Sequence, residues 1–297
     1  MNKTFFTNTF LAILAFVMLT SGIIRDDVKE KKYLKLANAK QFDAVGQIYL
    51  DTASRGSCVL INERFVLTAA HVFIVSDHRL DTMLMFGQTI TVYTPINQRI
   101  VDFKRLSVVI GGQTMKVKNL ILHPTYLDSI SQGKCDLAIL ELEVACKVVT
   151  PAIVNQSFDE LNANVVGVGF GVSGIASKPE TVVKVDKKTA GQNVIDSIAG
   201  FKYFGQATLL MCDFDHPNLP DCNKMGRAVP QPLEYICGGG DSGGGLFRQK
   251  NKQWELIGIC QSSSTDIQQL MKTGYYGQTM SWTRVAAFQK WISENSK

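Results

Sequence analysis

Short apolar runs broken by turn chemistry recur along this chain from end to end. VGQIYL at residues 45–50 and SCVLI at 57–61 are joined by a polar, glycine-containing segment and read as paired strands. NERFVLTAAHV, residues 62–72, is a further strand that ends in the small residues Ala69 and Ala70 and delivers His71. β-rich pieces follow at 88–93 and 105–110, separated by Pro95, Asn97 and Gly111-Gly112, and KNLILHPTY at 118–126 leads through a polar loop into CDLAILELE at 135–143. That last run is apolar enough for a buried strand, yet Asp136 opens it, and an acid at the mouth of a core strand requires a partner.

The polar, proline-containing stretch at 144–158 predicts a crossing between two halves. The second half restarts with NVVGVGFGVSG at 164–174, whose glycines imitate a dinucleotide-binding fingerprint. That fingerprint must open a helix, whereas Pro179 and a β-branched run follow here, so a strand with glycine bulges is expected instead. Residues 190–198, 207–214, 254–260 and 281–285 continue the β pattern. Only the end changes period: Val285, Phe288, Trp291 and Ile292 fall at helical spacing and predict an amphipathic helix docked on a β core.

Composition narrows the class. With 297 residues, 45% apolar and 19% charged, the chain can bury one large core or two smaller ones. Lys3 followed by an apolar run over residues 10–19 and by Thr20, Ser21 and Gly22 has the layout of a secretory signal, too short to span a bilayer, which places the mature start near Ile23. A secreted protein, extracellular or periplasmic and free of the membrane after cleavage, is expected. The formal charge of +5 is spread out rather than gathered on a basic face, so nucleic-acid binding is not expected. The seven cysteines contain no C-x-x-C pair, and DFDHP at 213–217 has no second ligand cluster, so no metal and no organic cofactor are called for. His78, His123 and His216 read as structural or surface residues.

The chemistry concentrates at GGGDSGGGLF, residues 238–247. A glycine run of this density is neither a helix interior nor an ordinary strand. As a tight loop it can turn several backbone N–H groups inward beside the Ser242 hydroxyl, the arrangement that a serine nucleophile needs.

With TAAH ending at His71, CDLAIL containing Asp136 and GDSGG around Ser242, the chain resembles the trypsin-like (chymotrypsin-fold) serine proteases from about residue 45 to 292. The resemblance implies an all-β fold of two antiparallel six-stranded barrels with the active site between them and a C-terminal helix. Residues 1–22 would be the signal, 23–40 a lead-in, 41–150 the first barrel and 151–297 the second with the helix. It implies Ser242 as nucleophile, His71 as general base, Asp136 as its orienting carboxylate, and the N–H groups of Gly240 and Ser242 as oxyanion hole. Ile236, Cys237, Ser263 and Met280 would line the substrate pocket, and Asp241 would pair with a new N-terminus such as Ile23. Cys237 would pair with Cys260, with Cys212–Cys222 as a second choice.

Several positions depart from the family. Ile236 stands where trypsins carry the aspartate that binds Arg or Lys, so a tryptic preference is not implied. Met280 replaces a pocket glycine, Gln261 replaces the serine that supports the catalytic aspartate, Gly245 follows GDSGG where a proline is usual, and Val72 stands in place of a cysteine. The expected function is a secreted, monomeric serine endopeptidase acting on proteins or peptides. A protease-like binding protein with impaired turnover is the alternative.

Overall fold

The computed structural model describes residues 21–85, 88–128, 133–184, 187–264 and 266–297. The segment expected to be a charged lead-in is structured. It forms strand β1 (Ser21–Ile24), helix α1 (Glu30–Ala37) and a turn of 3-10 helix over Lys40–Phe42. The pattern was easy to miss, because α1 buries only Tyr33 and Ala37 and is otherwise charged. The signal expected over residues 1–22 lies, apart from its last two residues, outside the described residues. Among these, no helix is long and apolar enough to cross a membrane.

The first half forms a closed barrel. Its strands are β2 (Val45–Leu50), β3 (Ala53–Asn62) and β4 (Phe65–Thr68), and then, after an excursion, β7 (Leu106–Ile110), β8 (Gln113–Leu122) and β9 (Ala138–Leu142). Their order around the barrel is β2-β3-β4-β9-β8-β7, all neighbours antiparallel. Val59, Leu67, Val108, Ile139 and Leu140 on its strands are fully buried.

The excursion is a compact unit of its own, a two-stranded hairpin of β5 (Ile74–Met85) and β6 (Gln88–Ile100). Pro95 and Asn97 do not end a strand, as their chemistry predicted, but lie within β6. Pro95 sits opposite His78, and the other edge of β6 has no strand partner among the described residues, so the missing N–H breaks no ladder. Asn97 takes a left-handed φ of +51°, and its amide and Arg99 both donate to Asp77.

After the short helix α2 (Pro124–Leu127) and β10 (Ile153–Val154), the second half builds an eight-stranded sheet. It uses β11 (Asn164–Gly169), β14 (Thr189–Val194), β15 (Ser197–Tyr203), β16 (Gln206–Asp213), β18 (Gly245–Lys250), β19 (Gln253–Ser264) and β20 (Thr279–Arg284), in the order β14-β11-β18-β19-β20-β16-β15, with β10 parallel to β19. The run at 190–198 is therefore two strands, broken at Ile195-Asp196. The sheet is also larger than six strands, and a separate four-stranded sheet joins it. There β1 lies parallel to β12 (Val172–Ile175) and antiparallel to β17 (Tyr235–Ile236), with β13 (Lys178–Val183) at the edge. The chain closes with helix α3 (Ile267–Thr273), β20, a 3-10 turn over Val285–Phe288 and helix α4 (Gln289–Asn295). His123, only 1% exposed, is ringed by Tyr203, Phe288 and Trp291, and burial pushes its pKa down to about 4. A neutral structural histidine is the outcome there.

Candidate active site

Barrel register brings His71 and Asp136 together. β4 pairs with β9 through Thr68↔Ala138, so the chain leaving one strand and the chain entering the other meet at the same end of the barrel. Ala69 and Ala70 are fully buried and leave the imidazole beyond them partly open, with 31% of its side chain exposed. The His71 N–H donates to Asp136 Oδ1 at 2.8 Å, and His71 Nδ1 lies 2.6 Å from Oδ2. With Nδ1–H donating to the carboxylate, Nε2 is the acceptor. The buried Asp136 thus receives two hydrogen bonds from one residue, and its carbonyl accepts a third, from the Thr283 hydroxyl at 3.1 Å. Burial of the His71 ring opposes its protonation, but the charge and hydrogen bond of Asp136 outweigh it, and His71 titrates above its ordinary 6.5. Arg55, whose Nη2 donates to the Val72 carbonyl, works against that rise.

Ser242 stands half-buried in a loop closed on itself. Asp241 N donates to the Gly238 carbonyl, Gly244 N to the Asp241 carbonyl, and Gly238 N to Asp241 Oδ2. β19 clasps the loop from one side, since Gly243 N donates to the Cys260 carbonyl and Cys260 N to the Gly244 carbonyl, both at 2.9 Å. The barrel holds it from the other, because Ser57 N donates to the Ser242 carbonyl at 2.8 Å. Two glycines are dictated by this geometry. Gly240 has φ +98°, and at Gly243 (φ +85°) a Cβ would lie 2.0 Å from Thr68 Oγ1 and 2.2 Å from the Ser57 carbonyl. Among the described residues, the N–H groups of Gly240 and Ser242 donate to no protein acceptor.

Ser57 was missed by sequence reasoning. Its hydroxyl accepts from Phe170 N at 2.8 Å and donates to the Gly240 carbonyl at 2.7 Å, which fixes the peptide on which the Gly240 loop turns. A serine inside a strand run gives no local signal of such a role. Gln261 stands where the family carries the serine that supports the catalytic aspartate, and no hydrogen bond joins it to Asp136 among the described residues. Instead its Nε2 donates to the Gly133 carbonyl at 2.9 Å, beside a cavity of about 240 Å³ that Lys134, Phe201 and Leu209 help to line.

The four expected pocket residues lie together, but three of them are packed away. Ile236, Cys237 and Met280 are 1%, 3% and 1% exposed and belong to one core with Tyr235, Cys260 and Trp282, while Ser263, opposite Met280 across β19 and β20, is half-buried. All seven cysteines are free thiols in this structure, so neither expected disulfide is formed. Cys237 and Cys260 nevertheless lie in one buried core.

Asp241 is buried, and among the described residues no cation pairs with it. Gly171 N and Gly238 N each donate to its carboxylate at 2.8 Å, and desolvation outweighs both and raises its pKa to about 6. The end of the expected signal lies against it: a Cβ built on Gly22 would come within 3.7 Å of Asp241 Oδ2, and Ile23 next to it is fully buried between β12 and β17. Farther along, Asp196, Asp213, Asp215 and Glu234 form an acidic group. Desolvation and mutual repulsion push Asp196 up to about 7, Asp215 to about 6 and Glu234 to about 9. Most of their hydrogen bonds come from the chain itself, Lys224 N and Met225 N to Asp213 and Gln231 N and Asp215 N to Glu234. DFDHP thus anchors a loop.

The Trypsin family model matches residues 35–292. Among solved structures the fold is similar to that of neuropsin, a serine protease expressed in the limbic system of mouse brain, at a TM-score of 0.55 and 17% identity over 86% of this chain and 95% of that one. Since the family match spans most of the sequence and includes the His71, Asp136 and Ser242 segments, the chain belongs to the trypsin family of serine proteases.

Proposed function

We propose that this protein is a secreted serine endopeptidase that cleaves peptide bonds through Ser242, His71 and Asp136. The observation that carries the proposal is the His71–Asp136 pair, with an Nε2 acceptor on the open side of the ring and two N–H groups, of Gly240 and Ser242, left without an internal acceptor. Ser242 Oγ attacks the scissile carbonyl while His71 Nε2 takes its proton, and Asp136 stabilises the imidazolium that results. The two N–H groups receive the oxyanion of the tetrahedral intermediate, each contributing about 3 kcal/mol. His71 then protonates the leaving amine, and water releases the acyl group by the same route in reverse.

The strand edge beside the loop supports a peptide substrate. β19 pairs with β18 only as far as Ile259, so past Cys260 its outer edge, Gln261 to Ser264, has no strand partner among the described residues and can take an extended chain as an added strand. The absence of an acid at Ile236 argues for a non-tryptic preference. For activation, removal of residues up to 22 would release an amine next to Asp241, the one buried carboxylate of the loop that lacks a counter-charge.

A fluorophosphonate probe applied to the secreted protein is expected to modify Ser242. Replacing His71 or Asp136 with alanine should lower the labelling and cleavage rates by about 10³- to 10⁴-fold without unfolding the chain. Because His71 must be neutral and titrates above 6.5, the acid limb of the rate profile should lie above that value. The filled pocket favours one other reading, a binding protein on the same fold, and a folded protein that never reacts with the probe would establish it.

A further inference from the structure

Resting on the endopeptidase reading, the geometry points to a site that admits only a small side chain, glycine, alanine or serine, on the acyl side of the bond to be cut. A peptide added to the free edge of β19 would start at Gln261, next to Cys260, whose carbonyl and N–H hold Gly243 and Gly244, so its reactive carbonyl would sit at Ser242. The side chain next to that carbonyl faces the ground between β19–β20 and the 237–239 segment. That ground is occupied. Cys237, Cys260 and Met280 are 3%, 3% and 1% exposed, and Ile236 beneath them is 1% exposed.

The filling is braced from behind. The Tyr235 hydroxyl lies 3.5 Å from Cys237 Sγ. Tyr235 and Trp282 press on Gly167 so closely that a Cβ there would stand 1.9 Å from the Tyr235 hydroxyl and 2.8 Å from the Trp282 ring. Met280 packs in the same core as both aromatics and therefore has no space into which to retreat. A basic side chain would also lack a partner. Ile236, beneath the filling, offers it no carboxylate. What remains at the mouth is the half-buried Ser263.

The test is a cleavage profile of the secreted protein on peptides that differ only at the acyl-side residue (Gly, Ala, Ser, Leu, Phe, Arg), with active sites counted by fluorophosphonate labelling. Gly, Ala and Ser are expected to exceed Leu, Phe and Arg by at least a hundredfold in kcat/KM. M280G and M280A, normalised to labelled sites, should raise Leu and Phe relative to Ala by at least tenfold. Labelled wild-type enzyme that cuts after Phe or Arg as readily as after Ala overturns the inference and leaves the endopeptidase reading intact. An M280G enzyme that labels but keeps the original ranking also overturns it, and if neither variant folds the wild-type profile decides. Failure of Ser242 to label at all overturns both.

Discussion

Asp241 offers a measurement that joins the activation proposal to a free energy. Its carboxyl is pushed up to about 6 from 3.8 by burial, against two N–H donors that favour the ionised form. At 1.36 kcal/mol per tenfold change in proton affinity, holding it ionised at neutral pH costs about 3 kcal/mol. The sign follows from the raised value. The folded chain binds the proton more tightly than the unfolded one, so this contribution is fully present below pH 3.8 and is lost as pH rises through about 6. In a form beginning at Ile23, whose amine would replace the Gly22 peptide beside the carboxylate, the counter-charge would favour ionisation and the loss would disappear or reverse. We therefore expect urea unfolding of a form extended upstream of residue 22 to lose about 2 kcal/mol more between pH 4 and pH 7.5 than the form starting at Ile23. Asp196, Asp215 and Glu234 titrate in the same range but are common to both forms and cancel in the difference. Asp241→Asn in the extended form sacrifices one N–H bond, so its absolute stability is uninformative, yet its pH dependence should move toward that of the cleaved form. Identical pH profiles for the extended and cleaved proteins would refute the reasoning while leaving the chemistry of Ser242 untouched.

Two further outcomes follow from the packing. Glu160 and Arg284 form a buried ion pair with two contacts, Oε2–Nη2 at 2.5 Å and Oε1–Nε at 3.1 Å, and their side chains are 0% and 4% exposed. Glu160→Gln leaves the guanidinium short of its charge partner, so urea denaturation should show a loss of about 3 to 5 kcal/mol, and a loss under about 1 kcal/mol would contradict the burial argument. Cys237 and Cys260, neighbours in one buried core, are expected to be joined by a disulfide in the exported protein, tying the start of the Ser242 loop to the strand that holds its end for roughly 3 kcal/mol in the chain-entropy picture. Non-reducing peptide mapping that finds Cys237 alkylated as a free thiol would exclude it.

What the sequence disclosed and what it concealed divide along the range of the interactions. Strand runs such as residues 45–50 and 105–110 were legible because alternation and apolar continuity are local properties, and they return as β2 and, one residue shorter, β7. The His71, Asp136 and Ser242 segments were legible through their residue types and order, although what brings His71 to Asp136 is the register Thr68↔Ala138 between strands about seventy residues apart in the chain. The hairpin of β5 and β6 was only half legible. Pro95 is a sound breaker signal wherever both strand edges are paired, but its cost vanishes on a strand with a free edge, and nothing local distinguishes the two cases. Segment 21–24 was read for its cleavage chemistry, not as a strand, because a four-residue element owes its existence to β12 and β17 on either side of it. Ser57 lies at the far end of this scale. Its hydroxyl matters because Gly240 and Phe170, more than a hundred residues away in sequence, converge on it. The same holds for Met280. As a residue type at a pocket position it signalled obstruction, but whether it swings aside or plugs the site depends on Tyr235 and Trp282 behind it, and on Gly167, which exists as a glycine to admit them. The proposed nucleophile is therefore written in a motif, whereas the proposed choice of substrate rests on the second layer of packing.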